Sequence, residues 1–310
     1  MESIEQELLF PEEPLTTESW DERVTQRALD ELFKATIAYR SSQSYLELMR
    51  FIARFRFYSV FNAMLIHIQR PGARFVAPPS RWEREYDRRV KPDANPLVIL
   101  QPMGPVMFVF DVSDTEGKRL PPQVENPFGV GGGPIGNELK QTIENVKRDG
   151  IRIHKSRMGS QRAGSIRTSK LSPPAYVEFP KSAKTGDKKR LPVLYELTIN
   201  LDMRPEACYA TLVHELAHLY CGHVGTPDKK WWPDRRSLPR NSREFEAESV
   251  TYLVCSRLGI DNPSAEYLAG YAKTEDQVPD ISLDSVIKAA GLVEEMGKRR
   301  LSPRKPSGVA

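Results

Sequence analysis

Thr211-Leu-Val-His214-Glu215-Leu-Ala-His218-Leu-Tyr220 is the stretch on which the reading turns. Residues four apart on an α-helix lie about 40° apart in projection, because each residue turns about 100°. His214 and His218 therefore leave one face and can share an ion, with Glu215 one residue along, beside the open position. Zinc suits this donor set, since it takes neutral imidazole nitrogens at about 2.0–2.1 Å. Leu212, Val213, Leu216, Ala217 and Leu219 bury the rest of the helix. Asp202 is a candidate cap, Pro205 stands in the first turn, and Gly222 is a natural end.

A catalytic zinc needs a third protein ligand and keeps one position open. His223 follows five residues after His218. The metzincin pattern requires a glycine three residues and a histidine six residues beyond the second histidine. That spacing fails here, so His223 reads as a surface residue or as a neighbour of a ligand. Arg243-Glu244-Phe-Glu246-Ala-Glu248 on the next helix is the better source. Glu244 and Glu248 share a helix face, and Glu246 points roughly opposite. In this gluzincin arrangement Glu244 is assigned as the third ligand and Glu248 as the carboxylate behind a ligand imidazole. Tyr252, four residues past Glu248, is the candidate oxyanion helper. The plainer alternative makes all three acids a solvated face.

HELAH followed by ExEAE resembles the ImmA/IrrE family of zinc metallopeptidases and its ArdC-type relatives. Family motifs read HELxH, then E-x-E-A followed by Asn, Asp or Glu. His214, Glu215, His218, Glu244, Ala247 and Glu248 match one by one, with Glu248 where the family often has Asn or Asp. The resemblance spans roughly residues 137–275 and implies a Zn2+ cofactor and Glu215 as general base in peptide hydrolysis. In the family an edge strand precedes the active helix. Residues 194–200 occupy that place and could pair with a peptide substrate.

The first half carries a second resemblance. Ser59-Val-Phe-Asn-Ala-Met-Leu-Ile-His-Ile-Gln69, then Trp82, then a valine-rich hairpin ending Phe110-Asp-Val-Ser-Asp-Thr-Glu-Gly117 is similar to the N-terminal single-stranded-DNA-binding domain of ArdC antirestriction proteins. Those proteins share the order of DNA-binding domain first and HExxH domain second. Residues 50–91 hold ten bases and three acids, interleaved with aromatic residues. Arg54, Arg56, Arg81, Arg84, Arg88 and Arg89 are the candidate phosphate contacts, and Trp82 is the ring expected to stack on a base. The competing reading places most of these rings on helical core positions.

Outward from the motifs, 310 residues suit two domains. Residues 1–20 read as an acidic flexible tail. Residues 21–120 read as the ArdC-like domain, with helices over 21–40, from Ser41 or Ser42, and over 60–68, and a hairpin over 97–112. Residues 121–136 form a Pro/Gly-rich linker. Residues 137–300 read as the metallopeptidase domain, with a helix over 137–148 and strands at 151–153, 175–179 and 194–199. Residues 301–310 are a basic tail. The expected fold class is α+β, with two domains, the C-terminal one a gluzincin-like zincin with a small sheet and an HExxH helix.

Formal net charge is +4, so the total says little about partners. The longest apolar stretch, residues 97–110, is broken by Gln101, Pro102, Gly104 and Pro105, so no membrane partner is expected. The start lacks the basic flank and apolar run of a signal peptide. Cys208, Cys221 and Cys255 are odd in number without a CxxC, which fits buried thiols of a cytoplasmic protein. Two functions follow. One is a zinc metallopeptidase acting on a regulatory protein or peptide, coupled to a nucleic-acid-binding half. The alternative is a single-stranded-DNA-binding antirestriction protein whose zinc site is structural or vestigial. An intact Glu215 favours the enzyme.

Overall fold

The computed structural model describes residues 39–101, 104–120, 135–157, 164–180, 188–200, 202–302 and 304. The acidic tail, the helix expected over 21–40 and most of the linker lie outside the described residues. The first described helix follows its sequence signal. Ser41 is extended and its hydroxyl accepts from the Ser44 N–H at 3.1 Å, which opens α1 (Ser42–Arg54). Ser59 does the same for Asn62 at 3.2 Å and opens α2 (Val60–Gln69).

A small sheet sits against α2. It orders β1 (Val76–Ala77), β4 (Gly104–Asp111) and β3 (Leu97–Gln101), all antiparallel, with Val98 opposite Phe108. The outer edge of β3 would present unpaired backbone groups. Side chains from α2 pair with them instead. Gln69 bonds the Val98 N–H and carbonyl at 2.8 Å each, and Asn62 bonds the Leu100 N–H and carbonyl at 3.0 and 2.9 Å. Two amides thus stand in for a fourth strand. Helix α3 (Pro79–Tyr86) and the pair β2 (Arg88–Val90) and β5 (Thr115–Gly117) complete this half.

The second half opens with α4 (Glu138–Asn145) and a 3-10 turn, ended by Gly150 at φ 71°. A Cβ at Gly150 would come within 2.6 Å of the Pro192 carbonyl oxygen, so both space and backbone favour glycine. Strands β6 (Ile151–Ser156), β7 (Gly164–Thr168), β8 (Tyr176–Pro180), β9 (Lys188–Pro192) and β10 (Tyr195–Asn200) follow. β10 lies in the middle of its sheet, parallel to β6 and antiparallel to β7. The edge-strand assignment of residues 194–200 is therefore corrected: β7 is the antiparallel edge. Residues 147–190, which carry thirteen bases and three acids, hold strands β6, β7 and β8 and the start of β9. The β8–β9 hairpin is held across the strands by Lys188 and Glu178 at 2.8 Å and by Arg190 over the Tyr176 ring.

Four helices complete the chain: α5 (Pro205–Tyr220), α6 (Arg240–Leu258), α7 (Ser264–Thr274) and α8 (Leu283–Lys298). Helix α5 begins at Pro205 without a side-chain cap, so Asp202 does not cap it. One buried apolar cluster runs from Tyr45 and Ile52 on α1 through Leu216 on α5 and Val250 on α6 to Val293 on α8. Arg257 is buried inside it. Its guanidinium donates to the carbonyls of Ile52 and Phe55 at 2.8 Å each and pairs with Glu294, capping the C-terminal end of α1. The three cysteines are buried free thiols. No helix among the described residues is long and apolar enough to cross a membrane. The fold class is α+β with several small sheets.

Candidate metal centre

Helix α5 lies against β7, β10 and α6, and this packing aims two of its histidines at α6. His214 Nε2 and His218 Nε2 are 3.2 Å apart. Glu244 Oε2 lies 3.7 Å from the first and 3.6 Å from the second. A tetrahedral zinc with bonds of about 2.0–2.1 Å spaces its ligand atoms by about 3.3–3.4 Å. The triangle of donors matches that edge length to within a few tenths of an ångström. The protonation states fit as well. Burial, then the neighbouring His218, lowers His214 to about 4, which keeps the ring neutral. Glu244 is partly exposed to solvent, which leaves its carboxylate ionised at neutral pH. Neutral imidazoles and a carboxylate are the forms that bind metal.

Glu215 opens onto a cleft of about 860 Å³ that His214, Glu248 and Thr251 also line. Burial raises its pKa, and the neighbouring Ile166 N–H of the edge strand β7 works against that rise. Gly164, two residues earlier, lets that strand approach. A Cβ there would lie 2.6 Å from Thr211 Cγ2 and 3.4 Å from Glu215 Cγ. Glu248 Oε1 is 3.6 Å from His214 Nδ1, next to the imidazole but beyond hydrogen-bond length. Its pKa is raised by burial, against a hydrogen bond from Ser264.

Tyr252 is corrected. It packs against the core, near Arg50 and Ser256, and does not line the cleft. Eight residues past Glu244 turn a helix side chain about 80° from it, whereas seven turn it only about 20°. Thr251 therefore takes the cleft position. The tyrosine near the acids is Tyr267 on α7, raised by burial and then by the charges of Glu248 and Glu244. The solvated-face alternative fails for Glu246, which is fully buried and bonded to His223 and Arg235. His223 is buried too, so the surface reading of it is withdrawn.

The nucleic-acid candidates scatter. Trp82 is fully buried, packs on Phe75 and Tyr86, and donates its indole N–H to the Phe110 carbonyl at 3.0 Å. It offers no free face to a base, which corrects its assignment as a stacking platform. Arg88 is used internally, on the Thr115 hydroxyl and carbonyl at 2.8 Å each. Arg81 pairs with Glu85 at 2.8 Å. Arg54, Arg84 and Arg89 are exposed and Arg56 is half-buried. Sequence reasoning missed Ile166, Gly164 and Arg235. Only Gly164 carried a local signal, a glycine opening a short run in which the β-branched Ile166 and Thr168 alternate with Ser165 and Arg167.

The chain is thus an α+β protein in which the HExxH helix and Glu244 bring three possible metal-ligand groups together. No protein-family model matches the sequence, and no curated protein does. Among solved structures, the metal-free crystal structure of the antirestriction protein ArdC from plasmid R388 is similar over 78% of this chain and 83% of that one. The identity is 17% and the TM-score 0.33, so the reading of the site rests on its own geometry.

Proposed function

We propose that this chain is a zinc-dependent metallopeptidase of gluzincin type. The observation that carries the reading is a metal-sized triangle of His214, His218 and Glu244 donors with the Glu215 carboxylate at the adjoining cleft. Zinc, when bound, supplies Lewis-acid polarisation of the scissile carbonyl and a more acidic water. Glu215 accepts a proton from the attacking water at its carboxylate and returns it to the leaving amine. Its raised pKa brings it closer to neutral pH, where a group that must both take and give a proton works best. The edge of β7 gives an extended peptide backbone something to pair with, directly beside Glu215. That strand edge is what supports a protein or peptide as the substrate.

A second reading is a single-stranded-DNA-binding antirestriction protein that does not use its metal for hydrolysis. The exposed Arg84 and Arg89, in a segment rich in bases, favour it. One set of variants separates the two. The purified chain should hold about one zinc. His214→Ala or His218→Ala should lose it, and Glu244→Ala should weaken it. Glu215→Gln should keep zinc and fold while peptide hydrolysis falls about 10²–10⁴-fold. Full zinc content in His218→Ala would end the metal assignment. Protection of DNA from restriction by Glu215→Gln at the wild-type level, with no hydrolysis by either form, would put the second reading first.

A further inference from the structure

Behind His218 four side chains stand in file. His218 Nδ1 lies 2.9 Å from His223 Nδ1. His223 Nε2 lies 2.8 Å from Glu246 Oε2. Arg235 grips Glu246 at both oxygens, at 2.7 and 2.6 Å, and the Ser282 N–H donates to it at 2.6 Å. The side chains of His223 and Glu246 are 1% and 0% exposed. Polar groups buried so deeply need each donor to meet an acceptor.

That requirement leaves one set of proton positions. Arg235 only donates, so Glu246 accepts as a carboxylate. Glu246 also faces His223 Nε2, so that nitrogen carries a proton. A proton on His223 Nδ1 as well would place two cations, His223 and Arg235, on one buried carboxylate. His223 Nδ1 is therefore bare and accepts. The proton between the two facing Nδ1 atoms then belongs to His218. With Nδ1–H on His218, its Nε2 lone pair points at His214 and Glu244.

We propose that His223, backed by Glu246 and Arg235, is the positioning residue for His218: it locks the ring in the Nδ1–H tautomer and aims Nε2 at the metal position. The inference rests on the metal-centre reading above. It differs from the usual carboxylate directly on a ligand imidazole. On the far nitrogen of His214, Nδ1, the neighbouring carboxylate is Glu248 at 3.6 Å, beyond hydrogen-bond length, so His218 is the more firmly held of the two rings.

Cys221, His223 and Glu246 also bring donor atoms within 4.8 Å of one another. They do not make a second metal site. The Arg235 guanidinium already supplies the positive charge beside Glu246, His223 Nδ1 is committed to His218, and the Cys221 thiol leans to the Ser285 carbonyl at 3.7 Å.

The chain has five histidines, so two-bond proton–nitrogen spectra of the ¹⁵N-histidine-labelled, metal-free full chain resolve every ring. His223 should be the Nε2–H tautomer and His218 the Nδ1–H tautomer. His223→Phe keeps the ring volume and leaves Glu246 on Arg235 and Ser282. Its zinc affinity, measured by competition with a chromophoric chelator, should fall about 10–100-fold, with a changed cobalt absorption spectrum. His223→Gln, whose amide still offers one acceptor and one donor, should recover most of that loss. An Nδ1–H tautomer at His223, or a folded His223→Phe with wild-type zinc affinity, overturns the proposal. Wild type that binds no zinc overturns the metal-centre reading instead, and the tautomer spectra still decide the file. They also decide it if His223→Phe does not fold.

Discussion

Gly164 shows how closely the site is packed at the level of single atoms. A methyl there would meet Thr211 Cγ2 at 2.6 Å and the Thr198 carbonyl oxygen at 3.0 Å. Gly164→Ala should push β7 off α5 and carry the Ile166 N–H away from Glu215. Displacement on the order of 1 Å near reacting groups costs up to about 10²-fold in rate. Peptide hydrolysis should therefore fall about 10–100-fold with zinc content unchanged, and Thr211→Ser in the same chain should recover part of it by removing the methyl in the way. Undiminished hydrolysis by Gly164→Ala would show that β7 does not position Glu215. His214, Glu215 and His218 were legible because i, i+4 geometry is local. Glu246 was half legible: helix arithmetic turned it away from Glu244, but the opposite side of α6 is core, not water. Only the fold brings Arg235 and His223 to meet it.

Helices and strands are where charge and edge protection become testable. Glu196 stands on the central strand β10, with Arg152 of β6 at 2.6 Å and Arg167 of β7 at 3.0 Å. Hydrogen bonds from Arg152 and then Arg167 hold its carboxyl below the ordinary value of 4.5. The folded state thus prefers the ionised form, and the stabilisation is present above that value and lost as pH falls through the lower folded one. Urea midpoints of wild type and Glu196→Gln, followed from pH 5.5 to pH 3, should show a shallower acid limb in the variant. Parallel limbs would mean that the arginines do not stabilise the charge. Asn62 and Gln69 act at the same scale. Replacing both by alanine removes four hydrogen bonds, which at about 0.5–1.5 kcal/mol each is about 2–6 kcal/mol, and opens the β3 edge. Urea unfolding should register the loss, and light scattering should register concentration-dependent association. Monomeric protein with unchanged stability would refute the sealing role. The helix itself was readable from its apolar spacing. Its amides were not, since their strand partners lie 38 and 29 residues away.

Across the whole molecule, the expectation of two domains came from chain length with a Pro/Gly-rich stretch as the linker, and neither can report what packs across that stretch. The apolar cluster that holds α5, α6 and α8 also holds α1 and α2. Arg257 ties them further, reaching carbonyls 205 and 202 residues away. No local window of sequence could show that. An arginine so deeply buried is sustained only by its partners, Glu294 and the end of α1. Arg257→Met leaves Glu294 with Lys298, at 3.2 Å, as its remaining ion pair and strips the Ile52 and Phe55 carbonyls of their side-chain donor, leaving them the N–H groups of Phe55 and Tyr58 at 3.2 and 3.3 Å. Breaking a buried pair in this way costs about 3–5 kcal/mol. Because the core is shared, the loss should not stay in the helix that carries the arginine. Native-state hydrogen exchange should find residues 42–54 and 240–258 opening together in wild type, with one free energy. Arg257→Met should lower the protection of both by the same amount. If residues 42–54 open alone while 240–258 keep their wild-type protection, the first half is a separate folding unit, and the shared core is an interface between two domains.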